Sequence, residues 1–154
     1  MSLVIFSSIT WFLLGLFFVL PGKINRLDNA LLFMTVILLN CNGSWIFIEE
    51  MKTIELAKPL PDYFAFLLFR TTVIPLLVVI CHNLLLSALP AGWKTGWIVL
   101  AYGLLLLMEW LAVRYKIYTY IHWHLYYSML YYLGLQILVF LFYKGFSHIT
   151  AQED

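Results

Sequence analysis

Charge is scarce in this sequence. Nine basic and eight acidic side chains are spread over 154 residues, 11% of the chain, where soluble domains carry about a quarter. A soluble protein of this size keeps much of its surface in water, and so few charges would cover it poorly. The formal net charge of +1 leaves no basic field for nucleic acid. Cysteine is also rare. Cys41 and Cys81 stand alone, far from any zinc or iron–sulfur spacing. No HExxH, GxSxG or phosphate-loop pattern occurs, so nothing in the sequence supports an enzyme or calls for a cofactor. Internal repeats and low-complexity tracts are lacking as well.

What the chain has is apolar bulk. Hydrophobic residues make up 64% of it. They fall in blocks of about 20, the length that crosses a bilayer as a helix. None shows the strict alternation of a barrel strand. The expected fold class is therefore all-α, an integral membrane bundle of about five transmembrane helices forming one domain over residues 1–154.

The expected spans run over 2–20, 29–48, 63–89, 96–113 and 125–143. Span one ends at Pro21-Gly22, a helix-stop pair. Its basic residues follow it, whereas a signal peptide carries them in front, so it reads as a retained span. Asp28 is placed to cap span two. Glu49-Glu50-Met51-Lys52 then leaves the membrane into the longest loop, which is polar and broken by Pro59 and Pro61. Span three contains Pro75, which removes a backbone donor and predicts a kink. Pro90-Ala91-Gly92 closes that span, and a short tail begins at Lys144. Trp45, Trp93, Trp97, Trp110 and Trp123 lie near span ends, where an interfacial aromatic belt accounts for them.

Five spans put the termini on opposite sides, called here A (the N-terminal side) and B. Side A loops carry Lys52, Lys58, Arg114 and Lys116; side B carries Lys23, Arg26, Lys94 and Lys144. The count is even. The basic flank of span one lies on side B, which places side B in the cytoplasm. Cys41 and Cys81 then sit in opposite leaflets, which argues against a disulfide.

Polar groups inside the spans are the candidate functional residues, because a charge in hydrocarbon costs several kcal/mol unless it is paired or hydrated. Arg70 and Glu109 both fall within roughly 10 Å of the side A boundary, at about 1.5 Å per residue. Asn42, Ser8, Tyr127, Ser128 and Tyr131 occupy a similar depth, with Ser7 and Thr10. Asn40 is close in depth but faces away from Asn42, since two residues turn a helix by about 200°. The layer reads either as a polar pocket or as an Arg70–Glu109 ion pair that fixes packing, with Arg70 alternatively snorkelling to the interface. A second set lies toward side B: His82, Asn83, Tyr102 and Gln136, with Thr35. His82 suits a hydrogen-bonded structural role, a proton relay or a haem ligand. A haem would need a second histidine at that depth, and His122 and His124 lie near side A. Those two share a face only in an extended stretch, and two ligands do not close a zinc site.

The second half of the chain resembles a family of uncharacterised small multi-span membrane proteins of spore-forming Gram-positive bacteria. The resemblance rests on Pro75 with Asn83 downstream, on Glu109, and on Tyr120-Ile121-His122-Trp123 entering an aromatic fifth span. It implies a helical bundle in the bacterial cytoplasmic membrane and no particular activity. Three function classes follow from the sequence. The first is a non-enzymatic protein binding membrane lipids, a membrane-protein partner or a second copy of itself. The alternative is a small transporter or channel using the Arg70–Glu109 layer. The third is an enzyme acting on a lipid or quinone.

Overall fold

The computed structural model describes residues 1–19, 24–86 and 90–150, with the side chains of 91 and 146–150 set aside. The Pro21-Gly22 stop, Lys23 and the end of the expected third span lie outside the described residues. The fold is an all-α bundle, and the described residues form five helices long and apolar enough to cross a membrane. Span one is α1 (Ser2–Val19). Span two is α2 (Arg26–Trp45), continued by a π-helical turn over Ile46–Glu50. Span three is α3 (Leu60–Leu68), a second π-helical turn over Phe69–Val73, and α4 (Ile74–Leu86). Span four is α5 (Ala91–Arg114), and span five begins α6 (Leu125–Thr150).

The ends differ from the sequence reading for local reasons. Asn25, not Asp28, caps span two: its side chain accepts from the Arg26 amide, which leaves Asp28 in the first turn near the positive end of the dipole. Glu49 and Glu50 stay helical, and the chain turns out only after Met51, at Lys52 with φ 49°. Span four starts at Ala91 behind Pro90, whose fixed φ suits the entry. The helix that begins at Leu125 runs past Lys144 to Thr150.

Span three is the centre of the molecule. Its most apolar stretch is 67% buried, against 17–22% for the other four. Spans two and four flank it, span five closes the ring against spans two and four, and span one packs on its outer side. Phe6 of α1 meets Phe69 edge-on at 5.7 Å, and the Ser2 hydroxyl donates to Asp62. Most of the large apolar side chains left exposed, such as Phe18 and Leu38, belong to the outer spans, where hydrocarbon would be their solvent.

Two short strands close the side A end, a feature the sequence reading did not anticipate. β1 (Ile54–Leu56) and β2 (Tyr118–Tyr120) pair antiparallel, with Ile54 opposite Tyr120 and Leu56 opposite Tyr118. Alternation puts Tyr118, Tyr120, Ile54 and Leu56 on the bundle face and Glu55 and Thr119 on the exposed face. A two-stranded sheet is marginal alone in water; here Tyr118 is anchored between Phe66 at 6.0 Å and Phe69 at 6.3 Å. The strand arrives from span four through a Schellman turn. The Ile117 amide reaches the Ala112 carbonyl and the Lys116 amide reaches the Val113 carbonyl, with Lys116 left-handed at φ 53°.

Candidate functional site

Where the sequence predicts a kink, a π turn stands just before Pro75, and that turn builds the site. In the turn the Ile74 amide bonds the Phe69 carbonyl, five residues back. The next bond in that register would run from residue 75 to the Arg70 carbonyl. Proline has no N–H, so that carbonyl is left without a helical donor. Asn40 of span two supplies one: its Nδ2 donates to the Arg70 oxygen at 2.7 Å. Tyr131 of span five donates to Asn40 Oδ1 at 2.9 Å, which links three spans through one amide. Tyr131 reaches it only because residue 43 is glycine. A Cβ there would lie 2.6 Å from the Tyr131 hydroxyl.

Beside this junction is a cavity of about 50 Å³, room for a few waters. Asn40, Ser44, Arg70, Glu109, Ser128 and Tyr131 bring polar groups to it, and Phe47, Phe66, Phe69, Ile74 and Trp123 form much of the apolar wall. Ile54 and Tyr118 roof it from the sheet. It occupies the side A half of the bundle, the depth at which the sequence reading placed its first set.

The two charges share the cavity but are not an ion pair. Glu109 is held by hydroxyls. Tyr120 at 2.7 Å and Ser128 at 2.9 Å donate to Oε1, and Tyr132 at 2.5 Å donates to Oε2. Trp123 Nε1 donates to Ser128 at 2.8 Å, so Ser128 accepts and donates at once. Arg70 instead donates from Nη2 to the Cys41 carbonyl and lies over the Phe66 ring at 5.8 Å. Its Nε is buried with no hydrogen-bond partner among the described residues, as is the Tyr118 hydroxyl. Burial pushes the Tyr118 and Tyr120 hydroxyls above the ordinary tyrosine range, and the neighbouring Glu109 adds to the effect.

Of the first expected set, the structure brings together Arg70, Glu109 and Ser128. Asn42, Ser8 and Tyr127 stand outside it. Asn42 donates back to the Leu38 carbonyl at 2.8 Å and Ser8 to the Val4 carbonyl at 2.9 Å, both exposed. Such a bond to the preceding turn satisfies a polar side chain without any neighbouring helix, so polarity alone did not fix their direction. Tyr127 is exposed on the Trp123 and Tyr126 rings. The choice between Asn40 and Asn42 is reversed: Asn40 is the buried one. Its face was legible in the stripe Asn29, Leu32, Val36, Asn40, Gly43, Ser44, which recurs at helical spacing. Trp123, read as part of the belt, is a cavity wall. Tyr118, Tyr120 and Tyr132 were missed as well.

The second set does not form one cluster. His82 Nδ1 pairs with its own Val78 carbonyl at 2.9 Å, and its ring lies 6.5 Å from Phe140. Asn83 donates to Asn29 at 2.6 Å, tying span three to span two. Tyr102 donates to the Met129 carbonyl, tying span four to span five. Gln136 lies beside the Cys81 thiol, with its Nε2 unpartnered among the described residues. Thr35 bonds back to Leu31. His122 and His124 are exposed, and no group of three metal-ligating side chains occurs among the described residues. Compared with known proteins, the chain matches no protein family, no curated protein and no solved structure.

Proposed function

We propose that this is a non-enzymatic multi-pass membrane protein that recognises a lipid or a membrane partner, and that the roofed cavity around Arg70 is the recognition site. The observation that carries the reading is the convergence of polar side chains from four spans on one small, mostly apolar cavity, the usual make-up of a binding site. Transport is the second reading, and packing weighs against it. Leu76, Leu77, Val78, Val79 and Ile80 are all buried between the cavity and His82, with apolar contact where a path would need polar groups. The enzyme reading draws less support still, because Glu109 is engaged by three hydroxyls. The resemblance in the second half supports the bacterial cytoplasmic membrane as the location, and the basic flank of span one supports side B as the cytoplasmic face.

Photo-crosslinking in native membranes tests the reading. A diazirine analogue of leucine at Ile48, on the cavity wall, should give a discrete adduct. The same analogue at Leu38, which is 63% exposed on the outer surface, should give bulk phospholipid. Identical products at the two positions would refute a recognition site in the cavity.

A further inference from the structure

We infer that the cavity takes the carboxylate of a monocarboxylic ligand with an apolar body, held by the free edge of Arg70; this rests on the reading of the cavity as a recognition site. A guanidinium carries five N–H donors. One, on Nη2, is spent on the Cys41 carbonyl; the Nε–H is buried without an acceptor among the described residues. Bare donors on a cation inside a membrane span are costly, and a group that accepted from them would be favoured. The obvious candidate within the protein is Glu109, yet both of its oxygens are turned to Tyr120, Ser128 and Tyr132. The Asn40 Oδ1 is likewise taken, by Tyr131. The site therefore presents a surplus of positive donors.

Shape selects the anion. A planar guanidinium fits a planar carboxylate with paired bonds, which adds geometric specificity. The Phe66 ring lies 5.8 Å from the Arg70 guanidinium, within reach of a cation–π attraction that favours the charge there. The cavity of about 50 Å³ has room for the carboxylate itself, and the Phe47, Phe69, Ile74 and Trp123 side chains around it would meet the start of an apolar body. Such a ligand could be a small acid arriving from the aqueous side A or a fatty acid arriving from the bilayer. Both offer the same group to Arg70.

Calorimetric titration of the full chain in neutral detergent distinguishes these cases. The probes are benzoate, its neutral isostere benzamide, and laurate. Benzoate or laurate should bind at least tenfold tighter than benzamide. Arg70→Gln should abolish that preference. Arg70→Lys, which keeps the charge but loses the planar fork, should weaken binding several-fold and serves if the glutamine variant does not fold. Tight laurate with weak benzoate would identify the bilayer as the source, and the reverse would identify the aqueous phase. Equal binding of benzoate and benzamide would overturn the carboxylate assignment and leave the recognition site standing. Absence of binding by benzoate and laurate alike would overturn the assignment too, as would an unchanged preference in either Arg70 variant. The discrete adduct at Ile48 then decides separately whether the cavity binds anything.

Discussion

Asn40→Ala tests the physical account of the site most directly. The substitution removes the amide that donates to the Arg70 carbonyl at 2.7 Å and accepts from Tyr131 at 2.9 Å. Hydrogen bonds between membrane helices average only about 0.6 kcal/mol, because the separated helices find other partners. The Arg70 carbonyl has none to find, since residue 75 is proline. A buried acceptor left bare costs about 1–3 kcal/mol. Tyr131 suffers less, because the Asn40 backbone carbonyl lies 3.4 Å from its hydroxyl and survives the change. The expected loss is about 2–3 kcal/mol. Pro75→Ala restores an N–H that can serve the same carbonyl, so in that background Asn40→Ala should cost about 1 kcal/mol less. The void left by the missing amide is common to both backgrounds and cancels. Reversible unfolding of the four proteins in mixed micelles, followed by circular dichroism, measures the cycle. Additive losses would mean that Asn40 does not stand in for the donor that Pro75 lacks, and the account would fail.

Four further outcomes follow from the same geometry. Glu109→Leu strands three hydroxyls and should cost about 2–5 kcal/mol in the same unfolding assay, whereas Glu109→Gln keeps an acceptor and should cost about 1–2 kcal/mol. Gly43→Ala should cost about 1–3 kcal/mol by driving Tyr131 off Asn40, while Gly103→Ala, with open space around it, should cost far less. Lys116→Gly should stabilise by about 0.5–1 kcal/mol, because glycine accepts the left-handed C′ position freely; a loss would show that the lysine charge at the helix end matters more. Tyr118 and Tyr120 have folded pKa values raised above the unfolded value near 10, so the unfolded chain loses their protons first. Their contribution is complete below pH 10 and declines as pH rises further; Tyr118→Phe with Tyr120→Phe should flatten the alkaline slope of stability.

The five spans were legible because each is a long apolar block, and hydropathy over such a length leaves few alternatives. Within the spans hydropathy says little about inside and outside. Span three is the most apolar stretch and also the most buried, although it carries Arg70, His82 and Asn83. Depth along the helix axis was readable by counting residues, so Arg70, Glu109 and Ser128 were placed at one level. Azimuth was harder. Ser8 and Asn42 share that level yet bond to their own helices and face outward. The strands escaped notice because three residues of alternation, Ile54-Glu55-Leu56 and Tyr118-Thr119-Tyr120, are too short to stand out, and their partner is more than sixty residues away.

The pairing of β1 with β2 also bears on how the protein is made. β1 belongs to the turn of the hairpin formed by spans two and three, and β2 to the turn of the hairpin formed by spans four and five. During synthesis the first hairpin can enter the bilayer and fold on span one long before the second exists. Through that interval β1 is an unpaired edge, and Arg70, bonded on one side to the Cys41 carbonyl of span two, lacks the neighbours that spans four and five later bring. The roof, the Glu109 hydroxyl cluster and the Tyr131 bond to Asn40 all wait for the last third of the chain. The order of synthesis alone would therefore leave a three-span stage with an open polar flank, closed by the arriving hairpin.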